Sequence, residues 1–193
     1  MNPIMIEFPD EIYTERLYIR APRFGDGKVV YEALKHSHEA LKLWMPFAQE
    51  VPIMEKVEEE VRQAHVRFLT REDLRLHIFH RENGQFVGST GLHRINWNVR
   101  RFEIGYWVDQ RHERQGYITE AVQGITTFAF QELKANRIEI RCDELNRKSR
   151  AVPERLGFTL EGVLQNDDVA LHKTDELRNT CIYANISNEK HAE

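Results

Sequence analysis

The chain has 193 residues, enough to bury one substantial core without splitting. Its 27 basic and 31 acidic residues leave a net charge of -4 and form no long block of one sign, which argues against nucleic acid or a membrane surface as a partner. No apolar run approaches the ~18 residues of a membrane-spanning helix.

The start, Met1-Asn2-Pro3-Ile4 followed by Glu7 and Asp10, lacks the basic and apolar pattern of a leader. Alternation from Thr14 to Ala21 predicts a first strand, and Val29, Val30, Ala33 and Leu34 predict a helix after it. Pro46 closes the segment Trp44-Met45-Pro46-Phe47, and a second helix is expected over 54 to 72, acidic at its start as the helix dipole favours. A meander follows: Leu76 to His80, an Asn83-Gly84 hairpin turn, Phe86 to Leu92, a bend at Asn96 to Arg100, and Phe102 to Val108. The clearest helical periodicity runs from Ile118 to Leu133. Ile138 and Ile140 mark another strand, Ser149 to Leu156 a short helix, Gly157-Phe158 a restart as strand, and Cys181 to Ile186 a last strand. Strands in the middle with helices interspersed at both ends predict an α/β or α+β sheet packed by helices.

Cys142 and Cys181 are the only cysteines, and neither C-x-x-C nor a His pair at ligand spacing occurs. No disulfide framework and no metal site is therefore indicated, and a reducing cytoplasm is the expected compartment.

The informative block lies between Ile104 and Phe158. A strand, Ile104 to Val108, enters the polar loop Asp109-Gln110-Arg111-His112-Glu113-Arg114-Gln115-Gly116, which opens the strongest helix of the chain. Such a junction leaves the first helical N–H groups unpaired at the positive end of the dipole, a receptor for phosphate. A glycine at 116 lets backbone approach an oxygen closely, although a glycine before a helix is more often an ordinary turn. A second cluster, Asn146-Arg147-Lys148-Ser149 to Glu154-Arg155-Leu156-Gly157-Phe158, follows the next strand.

Together the two clusters resemble the GNAT acetyltransferase superfamily, in particular its Rim-type branch of ribosomal-protein N-terminal acetyltransferases. The resemblance also takes in Thr14-Glu15-Arg16-Leu17, Glu103-Ile104-Gly105-Tyr106-Trp107 and Gln115-Gly116-Tyr117-Ile118-Thr119-Glu120-Ala121, and so spans nearly the whole chain. It implies one domain over 1–193 with its core at about 14–186, and a mostly antiparallel sheet splayed open at its centre. It further implies acetyl-coenzyme A as co-substrate, without metal, its pyrophosphate held by the loop containing Arg111, Arg114, Gln115, Gly116, Tyr117 and Ile118. Arg114 departs from the pattern, because it stands where the superfamily usually has a glycine; it either crowds the loop or contacts a phosphate directly.

Acetyl transfer to an amine needs a proton acceptor, an oxyanion donor and help for the departing thiolate. Glu103, at the start of the strand beside the implied opening, is the leading base, its alternative role being a solvated strand-edge residue paired with Arg100 or Arg101, and His93 is the second candidate, its alternative being a hydrogen-bonded sheet residue. The Val108 N–H is the expected oxyanion donor, since a splayed strand leaves its main chain unpaired. The tyrosine that many superfamily members place four residues before the final glycine is absent, with Pro153 in its position. Ser149 matches a Rim-type serine near the sulfur, its alternative role being a helix cap. Asn146 is either a turn former or a partner for the pantetheine amides. Trp44 and Phe47 fall where similar enzymes build the acceptor pocket, with core or dimer packing as the alternative. The acceptor itself is a peptide N-terminal amine or a small-molecule amine, and a homodimer is an analogy only. The contrasting reading is a non-catalytic acetyl-coenzyme A sensor or protein-binding module on the same fold.

Overall fold

A computed structural model describes residues 2–171 and 173–187; residues 1, 172 and 188–193 of the expected domain lie outside them. The chain opens with β1 (Glu11–Tyr13) and β2 (Leu17–Arg20), which pair antiparallel. The single strand expected from 14 to 21 is thus shorter and preceded by another. Thr14 makes the reversal, its N–H donating to the Leu17 carbonyl (3.0 Å) and its hydroxyl accepting from the Leu17 N–H (3.1 Å).

Helices α1 (Gly27–Leu41) and α2 (Met54–Thr70) follow, and Arg71 ends the latter in the left-handed conformation, φ 64°. The meander β3 (Leu74–His80), β4 (Phe86–Asn96) and β5 (Arg101–Val108) forms as expected, with β4 running past Leu92. Next come α3 (Tyr117–Gln131), β6 (Arg137–Asp143), α4 (Arg147–Arg155), β7 (Thr159–Ala170) and β8 (Lys173–Ile186). Among the described residues the strands make one sheet in the order β1-β2-β3-β4-β5-β6-β8-β7. The β7–β8 hairpin is far longer than the strand ends at Phe158 and Cys181 suggested. Most of β7 is exposed on both faces, so its sequence carries no apolar alternation to read.

Apolar positions spaced along α3, including Ala121, Ile125 and Ala129, cover one face of the sheet against Leu17, Ile19, Leu92, Phe102, Ile104 and Ile138. Each fully buried aliphatic side chain there contributes roughly 1.5–3 kcal/mol. On the other face α1 and α2 bring Val30, Ala33 and Val61 onto Phe79 and Phe86.

The sheet is antiparallel except at its centre, where β5 and β6 run parallel and pair only at Arg101↔Arg137, Phe102↔Ile138 and Glu103↔Glu139. Beyond Glu103 the two strands part, while Ile140 to Asp143 stay paired with β8. This is the implied splay. Asp109 N–H donates to the Val87 carbonyl (2.8 Å) and Gly88 lies opposite Val108. The alternation of an antiparallel ladder then turns the Tyr106 and Val108 N–H groups away from β4, toward the opened side.

Candidate active site

A cavity of about 1870 Å³ occupies the opening. The start of α3 (Gly116, Tyr117, Ile118) and the start of α4 (Asn146, Ser149) form its walls, with Tyr106 and Val108 of β5 between them. A second arm reaches Ser37, Leu41, Trp44 and Met45 at the end of α1, beside Trp107. Tyr106 packs with the α3-side core and Trp107 with the α1-side core, so the cavity is lined from both faces of the sheet.

Gly116 is the N-cap of α3 with φ 79°, a backbone conformation that a side chain resists. Its cap position leaves the N–H groups of the first α3 turn facing the cavity without helical partners. Two turns upstream, the buried Asp109 carboxylate accepts from the Arg111 N–H (3.0 Å) and from its Nε (3.1 and 3.0 Å to the two oxygens). Arg111 is thereby turned onto Asp109 and does not line the cavity, so it shapes the loop from behind. Gln115 is likewise off the cavity wall; its side-chain amide donates to the Arg111 carbonyl (3.3 Å). Arg114 does line the cavity, is exposed, and takes a left-handed φ of 62°. The glycine usual at this position in the resembling pattern therefore has a conformational reason, and the arginine retains that geometry at a cost of order 1 kcal/mol.

Glu120, one turn into α3, accepts from the Thr14 hydroxyl (2.6 Å), the Arg16 N–H (2.8 Å) and Arg16 Nε (2.6 Å). Arg16 also donates to the Gln115 carbonyl (3.0 Å) and stacks over the Tyr117 ring, 4.6 Å from its centroid. Burial works to raise the Glu120 carboxyl, but the bonds from Thr14 and Arg16 outweigh it and hold the group below its ordinary value. Sequence reasoning noted both segments without joining them; the conjunction of Thr-x-Arg with a glutamate in the first turn of α3 was the available signal.

In α4, Asn146 is the N-cap, its side-chain oxygen accepting from the Ser149 N–H (3.1 Å). Ser149 is therefore not the cap. Its hydroxyl donates to Tyr106 Oη (3.2 Å), and Tyr106 Oη in turn donates to the Ser149 carbonyl (2.8 Å). Burial raises the Tyr106 phenol well above its usual range, so it remains a neutral donor. Burial also pushes the nearby Cys142 thiol up to about 12, which removes it as a nucleophile at neutral pH.

Glu103, His93 and Phe47 lie off the cavity wall. Glu103 and His93 face each other across β4 and β5, and Glu103 meets Arg94 at 3.4 Å rather than Arg100 or Arg101. Burial raises the Glu103 carboxyl, against the opposing pull of Arg94 and Arg141. His93 lies over Gly105, where an added Cβ would come within 2.9 Å of its ring, and Asp73 Oδ2 holds its Nδ1 at 2.6 Å. Asp73 had no motif to mark it. Phe47 packs on Trp107 with ring centroids 6.2 Å apart.

Residues 16–159 match the sequence pattern of the acetyltransferase (GNAT) domain. The ribosomal-protein-serine acetyltransferase of Escherichia coli is 29% identical over 176 residues, covering 90% of this chain and 94% of that protein. The putative ribosomal N-acetyltransferase YdaF of Bacillus subtilis is 45% identical over a shorter stretch, 80 residues, 42% of this chain and 44% of YdaF. Among solved structures, RimL, a ribosomal L7/L12 alpha-N-protein acetyltransferase in complex with coenzyme A, superposes with a TM-score of 0.84 at 21% identity, over 91% of this chain and 97% of RimL. The self-immunity acetyltransferase MccE, in complex with acetyl-CoA and AMP, superposes with a TM-score of 0.82 at 20% identity, over 90% and 94% of the two chains.

Proposed function

This chain belongs to the acetyltransferase (GNAT) domain family, and on that premise we propose that it transfers acetyl from acetyl-coenzyme A to the N-terminal amine of a peptide or protein. The observation that carries the reading is the cavity at the parted strands, which joins unpaired α3 N–H groups at one end to Ser149 at the other. The site fits the coenzyme. The first α3 amides and Arg114 suit a diphosphate, the strand edge at Tyr106 and Val108 suits amide groups, and Asn146 and Ser149 line the wall at the start of α4. The E. coli relative, aligned over 90% of this chain, supports a peptide α-amine over a small-molecule amine as acceptor.

In this mechanism the acceptor enters along the arm formed by Leu41, Trp44, Met45 and Trp107. Glu103, with His93 across the strand, takes the proton from the incoming ammonium through water, since neither side chain lines the cavity. Glu103 passes that proton on to solvent, the neutral amine nitrogen bonds to the thioester carbon, the carbon–sulfur bond breaks, and the second proton, shed by the nitrogen as the amide forms, returns through water to the thiolate. Val108 N–H donates to the carbonyl oxygen as negative charge builds there. Ser149 donates to the departing sulfur, a modest task because a thiol of pKa about 8.5 leaves readily.

The reading is tested by supplying labelled acetyl-coenzyme A with two acceptor libraries, free-N-terminal peptides and small amines. Label in the peptides supports it; label confined to the small amines, or in neither, rejects it.

A further inference from the structure

Pro153 sits inside α4, where a helix normally directs the N–H of residue 153 to the carbonyl of residue 149. Proline has no N–H, so the Ser149 carbonyl is released from the helical ladder, while Val152 and Pro153 on the same helix are buried and Ser149 itself is half-buried. A released carbonyl at such a site costs free energy unless another donor reaches it. Tyr106 is that donor, crossing from β5 at 2.8 Å.

We infer that Tyr106 is the positioning residue for Ser149, docked on a carbonyl that Pro153 has freed. Ser149 is gripped at three atoms: its N–H by the Asn146 cap, its carbonyl by Tyr106 Oη, and its hydroxyl by the same phenol oxygen at 3.2 Å. The side chain therefore points at the cavity wall made by β5 rather than turning back to cap its own helix. Tyr106 lies on the part of β5 that has separated from β6, so one phenol ties the opened strand to the start of α4 and sets the width between them.

The inference rests on the reading of Ser149 as the group beside the departing sulfur. Tyr106 neither gives nor takes a proton. As charge gathers on sulfur, the Ser149 hydrogen swings from the phenol oxygen to the sulfur, while the phenol stays on the carbonyl and keeps the serine backbone in place. Sequence and structure here form one device: the phenol arrives from β5 at a helix whose own position 153 carries no side-chain hydroxyl and no N–H.

The test is a set of variants assayed with acetyl-coenzyme A and a peptide bearing a free N-terminal serine, each checked for folding by circular dichroism. Tyr106→Phe is expected to lower kcat about tenfold with KM for acetyl-coenzyme A within about twofold, and Ser149→Ala to do the same. The double variant is expected to be no slower than Ser149→Ala alone, because Tyr106 acts through Ser149. Pro153→Ala restores a competing N–H and is expected to move kcat part of the way toward Tyr106→Phe, which keeps the test open if that variant folds poorly. Wild-type kcat in Tyr106→Phe, with Ser149→Ala slow, overturns the inference and leaves the role of Ser149 standing. Losses that multiply in the double variant also overturn it, since Tyr106 would then act through the fold alone. Wild-type kcat in Ser149→Ala overturns the reading of Ser149 and this inference with it.

Discussion

Arg16 and Glu120, 104 residues apart in sequence, meet at 2.6 Å between Nε and Oε2. The same carboxylate takes the Arg16 main-chain N–H at 2.8 Å. Arg16 also holds the Gln115 carbonyl, so the turn before β2 braces the loop whose glycine opens α3. The first α3 amides can face a diphosphate only while that loop keeps its shape.

Glu120→Ala removes the acceptor for Thr14 and Arg16 together. Leaving those part-buried donors unsatisfied is expected to cost about 1–3 kcal/mol of stability and to raise Kd for coenzyme A roughly tenfold. Thermal unfolding and titration calorimetry check the two effects. An unchanged Kd in a destabilised protein would show that the brace serves folding alone.

Arg114→Gly separates conformation from charge. Glycine relaxes the left-handed backbone at φ 62°, an effect offset by the greater freedom of the unfolded chain, so stability is expected to stay within about 1 kcal/mol. Loss of the exposed guanidinium is expected to weaken coenzyme A binding roughly fivefold at low salt and less at high salt. Tighter binding in this variant would instead identify Arg114 as an obstruction.

Val108→Pro deletes an N–H aimed at the parted strands without removing a bond of the β4–β5 ladder. A drop in kcat of about 10²-fold is expected, with the far-ultraviolet dichroism retained. Near-normal turnover by the folded variant would take the oxyanion role away from this main-chain group.

Glu103 carries a pH prediction. Its carboxyl is raised by burial, and as a base it must be ionised, so kcat/KM is expected to fall as pH drops through a limb above the ordinary carboxylate range. Glu103→Gln should abolish that limb and lower kcat about 10²-fold. The stability sign is opposite to that of a paired carboxylate. A raised carboxyl favours folding at low pH and loses that contribution as pH rises through its folded value. The glutamine variant is therefore expected to gain thermal stability over wild type at neutral pH and to lose the advantage near pH 4. A limb unchanged in Glu103→Gln and absent in His93→Gln would assign the base to the Asp73–His93 pair.

Most of this fold was legible because its periodicities are strong. The apolar spacing of α3 announces that helix, the Asn83-Gly84 turn marks the start of β4, and Gly116 marks where α3 begins, whereas α4, expected from Ser149, starts at Arg147 because Asn146 is its cap. Most of β7 was illegible because residues exposed on both faces obey no alternation, and only the Cys181 to Ile186 part of β8, which buries Cys181, Tyr183 and Ala184, was readable. Among the candidate site residues, Gly116, Tyr117, Ile118, Val108, Asn146, Ser149, Arg114 and Trp44 line one cavity. Arg111 and Gln115 do not, because Asp109 and the loop backbone claim their side chains. Tyr106 is the instructive omission: strand alternation sends Tyr106 and Trp107 to opposite faces, the cavity is lined by both, and only the helical proline, read for the bond it cannot make, names the partner of the phenol.

The most direct measurement is release of free coenzyme A from acetyl-coenzyme A in the presence of one serine-initiated peptide and its N-terminally blocked twin. Release matched by one acetyl group on the α-nitrogen of the free peptide, with none from the blocked peptide, is the predicted result. Coenzyme binding without release, or equal release from both peptides, would contradict the assignment.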